Sequence, residues 1–279
     1  MTRTWLVTGA ARGIGREIAL AALRNGMRVV ATARDPRKLS EAFPEAGDSL
    51  LAVKLDVTRP EQAEAAVALA REQFGGVDIL VNNAGFGQLG HLETVDHPSI
   101  VRQFDTNVYG LIHVTRAVLP IMRQQRRGHI FNLSSIGGTL GFDGAAIYCA
   151  TKFAVEGLSE SLALELERFG IGVTIVEPGF FRTDFLDSSS VRYGEKMIPE
   201  YSDAAAQQRA QYDAYSHSQP GDPAKLGELI VEVANSPSPP LRLVAGSDAL
   251  EMSRSLLDKR QTELESWADR AVSTDYLGK

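Results

Sequence analysis

Cysteine is nearly absent from this chain. Of 279 residues only Cys149 carries a thiol, so no intramolecular disulfide can form, and a reducing, cytoplasmic location is expected. Long apolar runs are missing too. None reaches the roughly 18 residues that a membrane span needs, and no signal-peptide pattern precedes the first strand-like segment, so a soluble protein without a membrane partner is expected. Basic residues are the minority among the charges. A net charge of -6 and a pI near 5.5 disfavour a nucleic-acid partner, and any phosphate must be recognised locally. The five histidines, at 91, 97, 113, 129 and 217, show no ligand spacing, so no metal site is inferred. Aliphatic residues are plentiful. With 44% hydrophobic and 23% charged residues the composition is that of a globular protein. No linker divides roughly the first 250 residues, so one domain over 1–279 is expected.

Strand and helix patterns alternate. Trp5-Leu6-Val7 is an apolar run ending in Thr8-Gly9, and helical periodicity follows from about Gly13 to Asn25, closed by Gly26. Further strand patterns lie at 27–32, 50–55, 77–81, 129–133, 173–176 and 241–244. A helix signal follows Asp35-Pro36, and longer ones cover 60–74, 98–125, 147–169 and 223–235. Parallel strands need crossovers, and these are right-handed. The alternation therefore predicts a single α/β Rossmann-like, doubly wound domain, its seven-stranded parallel sheet covered by helices on both faces. Ligands in such folds bind at the carboxyl ends of the strands, near the switch point. The segment 187–221 is rich in Ser, Tyr, Gln and Asp and poor in aliphatics, which predicts a substrate lid with a helical piece around 200–215. The tail 248–279 carries Leu250, Leu257, Leu264 and Trp267 at near-heptad spacing, predicting an amphipathic helix packed on the domain or on a partner subunit.

The segment Thr8-Gly9-Ala10-Ala11-Arg12-Gly13-Ile14-Gly15 ends the first strand and opens the first helix. Glycines there let a pyrophosphate approach the helix N-terminus, where unpaired N–H groups favour anions. The spacing is G-x-x-x-G-x-G rather than G-x-G-x-x-G. Tyr148 and Lys152 stand at i and i+4, on one helical face, so the ammonium can lie near the phenol and ease proton transfer. The second strand ends in Ala33, with Arg34 next, where an acid would bind a ribose 2′-hydroxyl. No carboxylate there repels a 2′-phosphate, and Arg34 with Arg12 can bind one, which points to NADP(H). The alternative is a solvated Arg34 with Asp35 turned inward onto the ribose.

In this order and spacing, over residues 4 to about 184, the motifs resemble those of the short-chain dehydrogenase/reductase family, and the overall pattern is similar to its 17β-hydroxysteroid and retinol dehydrogenases. Asn82-Asn83-Ala84-Gly85 resembles the N-N-A-G turn, Tyr148-Cys149-Ala150-Thr151-Lys152 the Y-x-x-x-K motif, and Pro178-Gly179-Phe180-Phe181-Arg182-Thr183 the P-G-x-x-x-T segment. The resemblance implies a catalytic tetrad of Asn107, Ser135, Tyr148 and Lys152, with Ser135 chosen over Ser134 because it lies thirteen residues before Tyr148. It also implies cofactor contacts from Gly9, Arg12, Gly13, Ile14, Gly15, Arg34, Asp56, Val57, Asn83, Ala84, Gly85, Tyr148, Lys152, Pro178, Gly179 and Thr183. The implied reaction is hydride transfer between NADP(H) and a small-molecule carbonyl or alcohol. Its alternative is an NADP(H)-binding sensor without efficient turnover. Gln88, Leu89, His91, 136–142, Phe180, Phe181 and Phe185 are expected around a partly apolar substrate. A homodimer or homotetramer is implied through helices 98–125 and 147–169, the second of which carries Phe153, Leu158, Leu162, Leu166 and Phe169. Cys149 reads as a small core residue.

Overall fold

A computed structural model describes residues 2–45, 47–187 and 190–276. Strand β1 (Thr4–Val7) runs into the glycine turn, and α1 (Gly13–Arg24) leads away from it. Gly26, in the left-handed region at φ +73°, then turns the chain into β2 (Arg28–Ala33). A short α2 (Arg37–Ala42) and β3 (Leu50–Lys54) follow. Helix α3 (Pro60–Phe74) has Pro60 in its first turn, where a missing N–H costs nothing, and ends on left-handed Gly75. Next come β4 (Ile79–Asn82), the two-residue β5 (Gln88–Leu89), α4 (His97–Phe104), α5 (Gly110–Gln125) and β6 (Gly128–Leu133). The long α6 (Ala146–Glu167) precedes β7 (Ile171–Pro178), β8 (Arg192–Tyr193), α7 (Pro199–Tyr215), α8 (Pro223–Asn235), β9 (Arg242–Ala245) and α9 (Ser247–Val272).

Seven strands form one parallel sheet in the order β3-β2-β1-β4-β6-β7-β9. The order reverses between β1 and β4, which opens the crevice where ligands bind in this architecture. Both faces are covered, so alternate residues of one strand enter opposite core layers. Trp5 and Val7 join Ile18, Phe131 and Ile230 on the side of α1 and α8; Leu6 joins Leu80, Val114, Val118 and Ile130 on the side of α3, α5 and α6. Helix α1 packs closely on α8. A Cβ at Gly227 would lie 2.6 Å from the Glu17 carbonyl oxygen, and Arg24 pairs with Glu228 at 2.8 Å on the rim.

Three details depart from the sequence pattern. The helix expected over 98–125 is divided by a π-helical turn at Asp105–Tyr109, between α4 and α5. Strands β5 and β8 pair in a separate small sheet, which ties the 187–221 segment to the chain after β4. The tail helix forms, but its apolar stripe does not pack on the domain: Leu257, Leu264 and Trp267 are 65%, 67% and 60% exposed. On α6, Leu162 and Leu166 face their own sheet, leaving Phe153 and Leu164 as the outward apolar residues. Among the described residues no helix is long and apolar enough to cross a membrane.

Candidate active site

The glycine turn lies at the crevice. Gly9 and Gly13 adopt φ +64° and +55°, which side chains disfavour, and a Cβ at Gly9 would sit 3.0 Å from the Ala84 Cα. At Gly15 it would collide with the Asn83 amide. That amide donates to the carbonyls of Thr8 (2.8 Å) and Gly9 (3.2 Å), while Thr8 Oγ1 accepts from the backbone of Asn83 (2.9 Å) and Ala84 (3.0 Å). Asn83 and Thr8 thus lock the glycine turn to the Asn82–Gly85 turn. The Asn83 side chain is occupied in that lock, and Thr8, not singled out from sequence, completes it. Arg12 precedes α1 with extended backbone and no side chain capping the helix, so the N-terminal N–H groups of Gly13, Ile14 and Gly15 remain suited to an anion. The turn is therefore a cradle that fits a dinucleotide pyrophosphate.

The four tetrad candidates come from different elements. Tyr148 and Lys152 stand one turn apart on α6, the lysine Nζ 5.8 Å from the Tyr148 ring centre. Lys152 is buried and donates to the Leu133 carbonyl at 2.7 Å. Ser135, just beyond β6, hydrogen-bonds the Tyr148 phenol and caps the short turn Ile136–Gly138 by accepting from Gly137 N at 3.0 Å. Ser134 is buried and turned toward Glu156. Desolvation pushes the Tyr148 phenol up to about 12, opposed by the Ser135 hydrogen bond, and brings the Lys152 ammonium down to about 8. Asn107 occupies the π-helical turn. Its Nδ2 donates to Phe86 O (3.1 Å) and Thr151 Oγ1 (3.2 Å), and its Oδ1 accepts from Phe86 N (3.2 Å), so it joins the Gly85 turn to α6. A π-turn is a common device for re-aiming a side chain at a working site.

The remaining cofactor candidates line the same strand ends. Ala33 closes β2 and Arg34 projects into solvent, while Asp35 is bound by Arg37 through Nε (3.1 Å) and Nη2 (3.0 Å) and caps its backbone N–H. These hydrogen bonds hold the Asp35 carboxyl below its usual range. Asp56 Oδ1 accepts from Thr58 N and Oγ1, and the Val57 carbonyl meets His113 Nδ1 at 3.1 Å. Thr183 is brought against Gly13, 3.6 Å from where its Cβ would be. The Pro178–Gly179 turn is fixed by Gly179 N on Ala245 O (2.9 Å) and by Phe180 N on Asp248 Oδ2 (2.7 Å).

An aromatic wall encloses Tyr148. Phe185 lies 5.7 Å from its ring, and Phe142, Phe180 and Tyr215 form a chain of edge contacts at 6.4 and 5.3 Å. Leu89, Val191, Tyr193 and Tyr212 complete a small cluster with Cys149. Phe181 is a correction: it turns away, packing on Gly221 and the main core, and does not ring the pocket. Helix α7 buries no residue fully, and is held by the Gln208–Asp143 carbonyl bond and by Tyr201 stacked on His91 at 4.5 Å. Sequence reasoning also missed a buried amide network, Asn82 with Thr115 and Asn132 (2.9 Å each) and Asn132 with Ser159 (2.8 Å), which clamps β4, β6, α5 and α6 beneath the site.

The family model for short chain dehydrogenase matches residues 3–193, and the chain belongs to that family of oxidoreductases. It is 37% identical to the oxidoreductase BOA17 of Botryotinia fuckeliana over 98% of this chain and 100% of that one, and 38% identical to retinol dehydrogenase 8 of Bos taurus over 86% and 80%. A short-chain dehydrogenase from Streptomyces avermitilis superimposes with a TM-score of 0.90 at 40% identity, covering 99% and 100% of the two chains. A family member from Burkholderia phymatum in complex with NAD (TM-score 0.84, 27% identity, 95% of each chain) shares the fold. So does a serine dehydrogenase complexed with NADP+ (0.75, 30%, 87% and 94%). A nicotinamide cofactor therefore accompanies the fold.

Proposed function

We propose that this chain is an NADP-dependent oxidoreductase that interconverts a carbonyl and an alcohol, with Tyr148 as general acid and base. The observation that carries the reading is the meeting of Ser135, Tyr148 and Lys152 beside a glycine turn built for a pyrophosphate. When bound, NADPH supplies the hydride that reaches the carbonyl carbon. Tyr148 gives its proton to the oxygen, which completes the alcohol, and in the reverse direction takes that proton back. Ser135 donates to the oxygen where negative charge develops. Lys152 holds the nicotinamide ribose and favours the phenolate, and Asn107 keeps α6 in register with the Gly85 turn. The glycine turn with Arg12, Ile14, Ala84 and Gly85 holds the pyrophosphate side, Asp56 and Val57 the adenine, Arg34 the 2′-phosphate, and Pro178, Gly179 and Thr183 the nicotinamide. A medium-sized, largely apolar substrate suits the aromatic wall, and the single buried cysteine suits the cytoplasm. NADPH oxidation measured over a panel of ketones and aldehydes tests the assignment; tight NADPH binding with no turnover on any of them would instead mark a sensor.

Residues 187–221, of which 188 and 189 lie outside the described residues, serve as a substrate lid, a reading supported by Tyr193 and Tyr212, which pack on the same cluster as Tyr148. Their amides in the free protein are expected to exchange far faster than those of β1 and β4, and equally slow exchange would remove the lid. The outward Phe153 and Leu164 of α6, with exposed Tyr109 beside α5, suit a dimer or tetramer through these helices. Light scattering at micromolar concentration is expected to give at least twice the chain mass, and a monomer would refute it.

A further inference from the structure

One turn beyond Lys152 on α6, Glu156 is buried, and so is Glu177, the residue of β7 directly before Pro178. Both reach one guanidinium. Arg242 Nε, from β9, lies 3.4 Å from Glu156 Oε2 and 3.3 Å from Glu177 Oε1, while its Nη1 pairs with the more exposed Glu160 at 2.9 Å. Beyond this shared guanidinium and the Ser134 hydroxyl, the Glu156 oxygens and Glu177 Oε1 meet no donor among the described residues. The Arg242 guanidinium offsets the cost of burying these two carboxylates, and removing one partner from such a buried group leaves the others less compensated. Glu156 and Lys152 also stand one helical turn apart, both buried and on the same face of α6.

Lys152 is also buried, with the Leu133 carbonyl as its hydrogen-bond acceptor. Desolvation disfavours its charge, and Glu156 is the carboxylate that works against this. The groups facing Glu156 are Lys152 and Glu160 on α6, the Ser134 hydroxyl after β6, Glu177 on β7 and Arg242 on β9. Burial pushes Glu156 up and Glu177 up to about 7, and Arg242 opposes both shifts.

We infer that Glu156 is a positioning residue for Lys152: anchored through Arg242 to the strands that carry the Pro178–Gly179 turn and the last sheet edge, its carboxylate keeps the lysine charged. This rests on the ribose-binding role given to Lys152 above.

NADPH fluorescence titrations on the full chain, over roughly pH 6 to pH 10, test it without requiring turnover. Affinity of the wild type is expected to fall along an alkaline limb as Lys152 loses its proton. Glu156→Gln removes a negative charge, so the limb is expected to move about one pH unit lower. Glu156→Asp, which keeps the charge, should return it toward the wild-type position, and Lys152→Met should abolish it. Glutamine strands no donor, and Glu156→Met offers a second neutral variant with the same expected displacement. If Lys152→Met removes the limb while the neutral variants leave it in place, Glu156 is only structural and the inference falls. If the limb survives in Lys152→Met, the ribose role itself is lost and the inference with it.

Discussion

Tyr148→Phe is expected to lower kcat by roughly 10²- to 10⁴-fold while leaving NADPH affinity within about twofold of the wild type. The ring's neighbours, Phe185 on one side and the Lys152 ammonium on the other, meet its volume rather than its hydroxyl, so the pocket should persist. Only the proton that must reach the substrate oxygen disappears, which corresponds to about 3 to 5 kcal/mol of transition-state stabilisation. Burial already holds the phenol protonated, so the residue is poised as an acid, and its conversion to a base depends on the charge beside it. Steady-state kinetics paired with fluorescence titration check both halves. Near wild-type turnover with unchanged affinity would remove Tyr148 from the proton path.

Cofactor choice is expected to turn on two adjacent residues. Ala33→Asp places a carboxylate at the end of β2, against a 2′-phosphate and in favour of a 2′-hydroxyl, so preference should move toward NAD. Arg34→Ala should lose preference for NADP without gaining affinity for NAD. A screened contact is worth about 1 kcal/mol and a desolvated one about 3, so the change in relative kcat/KM should fall between roughly 5-fold and over 100-fold. The competing arrangement has Asp35 binding the ribose, yet that carboxylate is held on its own turn by three hydrogen bonds from Arg37. An initial preference for NAD, or no change in Arg34→Ala, would overturn the phosphate contact.

Much of this was legible in the sequence because local signals and global fold agree. Most sheet strands are apolar runs with a glycine, proline or helix start close by, and the motif residues fall where those strands end. What escaped has a physical reason in each case. Strands β5 and β8 are two residues long, too short for any period, and their pairing depends on a register across more than a hundred residues. The π-turn around Asn107 leaves no mark in a pattern that reads equally well as one α-helix. Asn83 has a side chain apt for a ligand, but only its neighbours in space reveal that Thr8 and Gly9 have already engaged it. The stripe of the tail helix predicted a packing surface, and the helix forms without using it within the chain. Arg242, Glu156 and Glu177 belong to three separated segments, so no spacing rule joins them.

The packing of α1 on α8 bears on how the protein is made. During synthesis the glycine turn and α1 emerge some two hundred residues before their partner. Until then Ile18, Ala21 and Ala22 have no cover on the α8 side, and the Glu17 carbonyl that Gly227 approaches stays in water. The core layer between α1 and α8 can be completed only once α8 has been made. That long-range pairing closes a loop of some two hundred residues, and its entropic penalty falls late in folding.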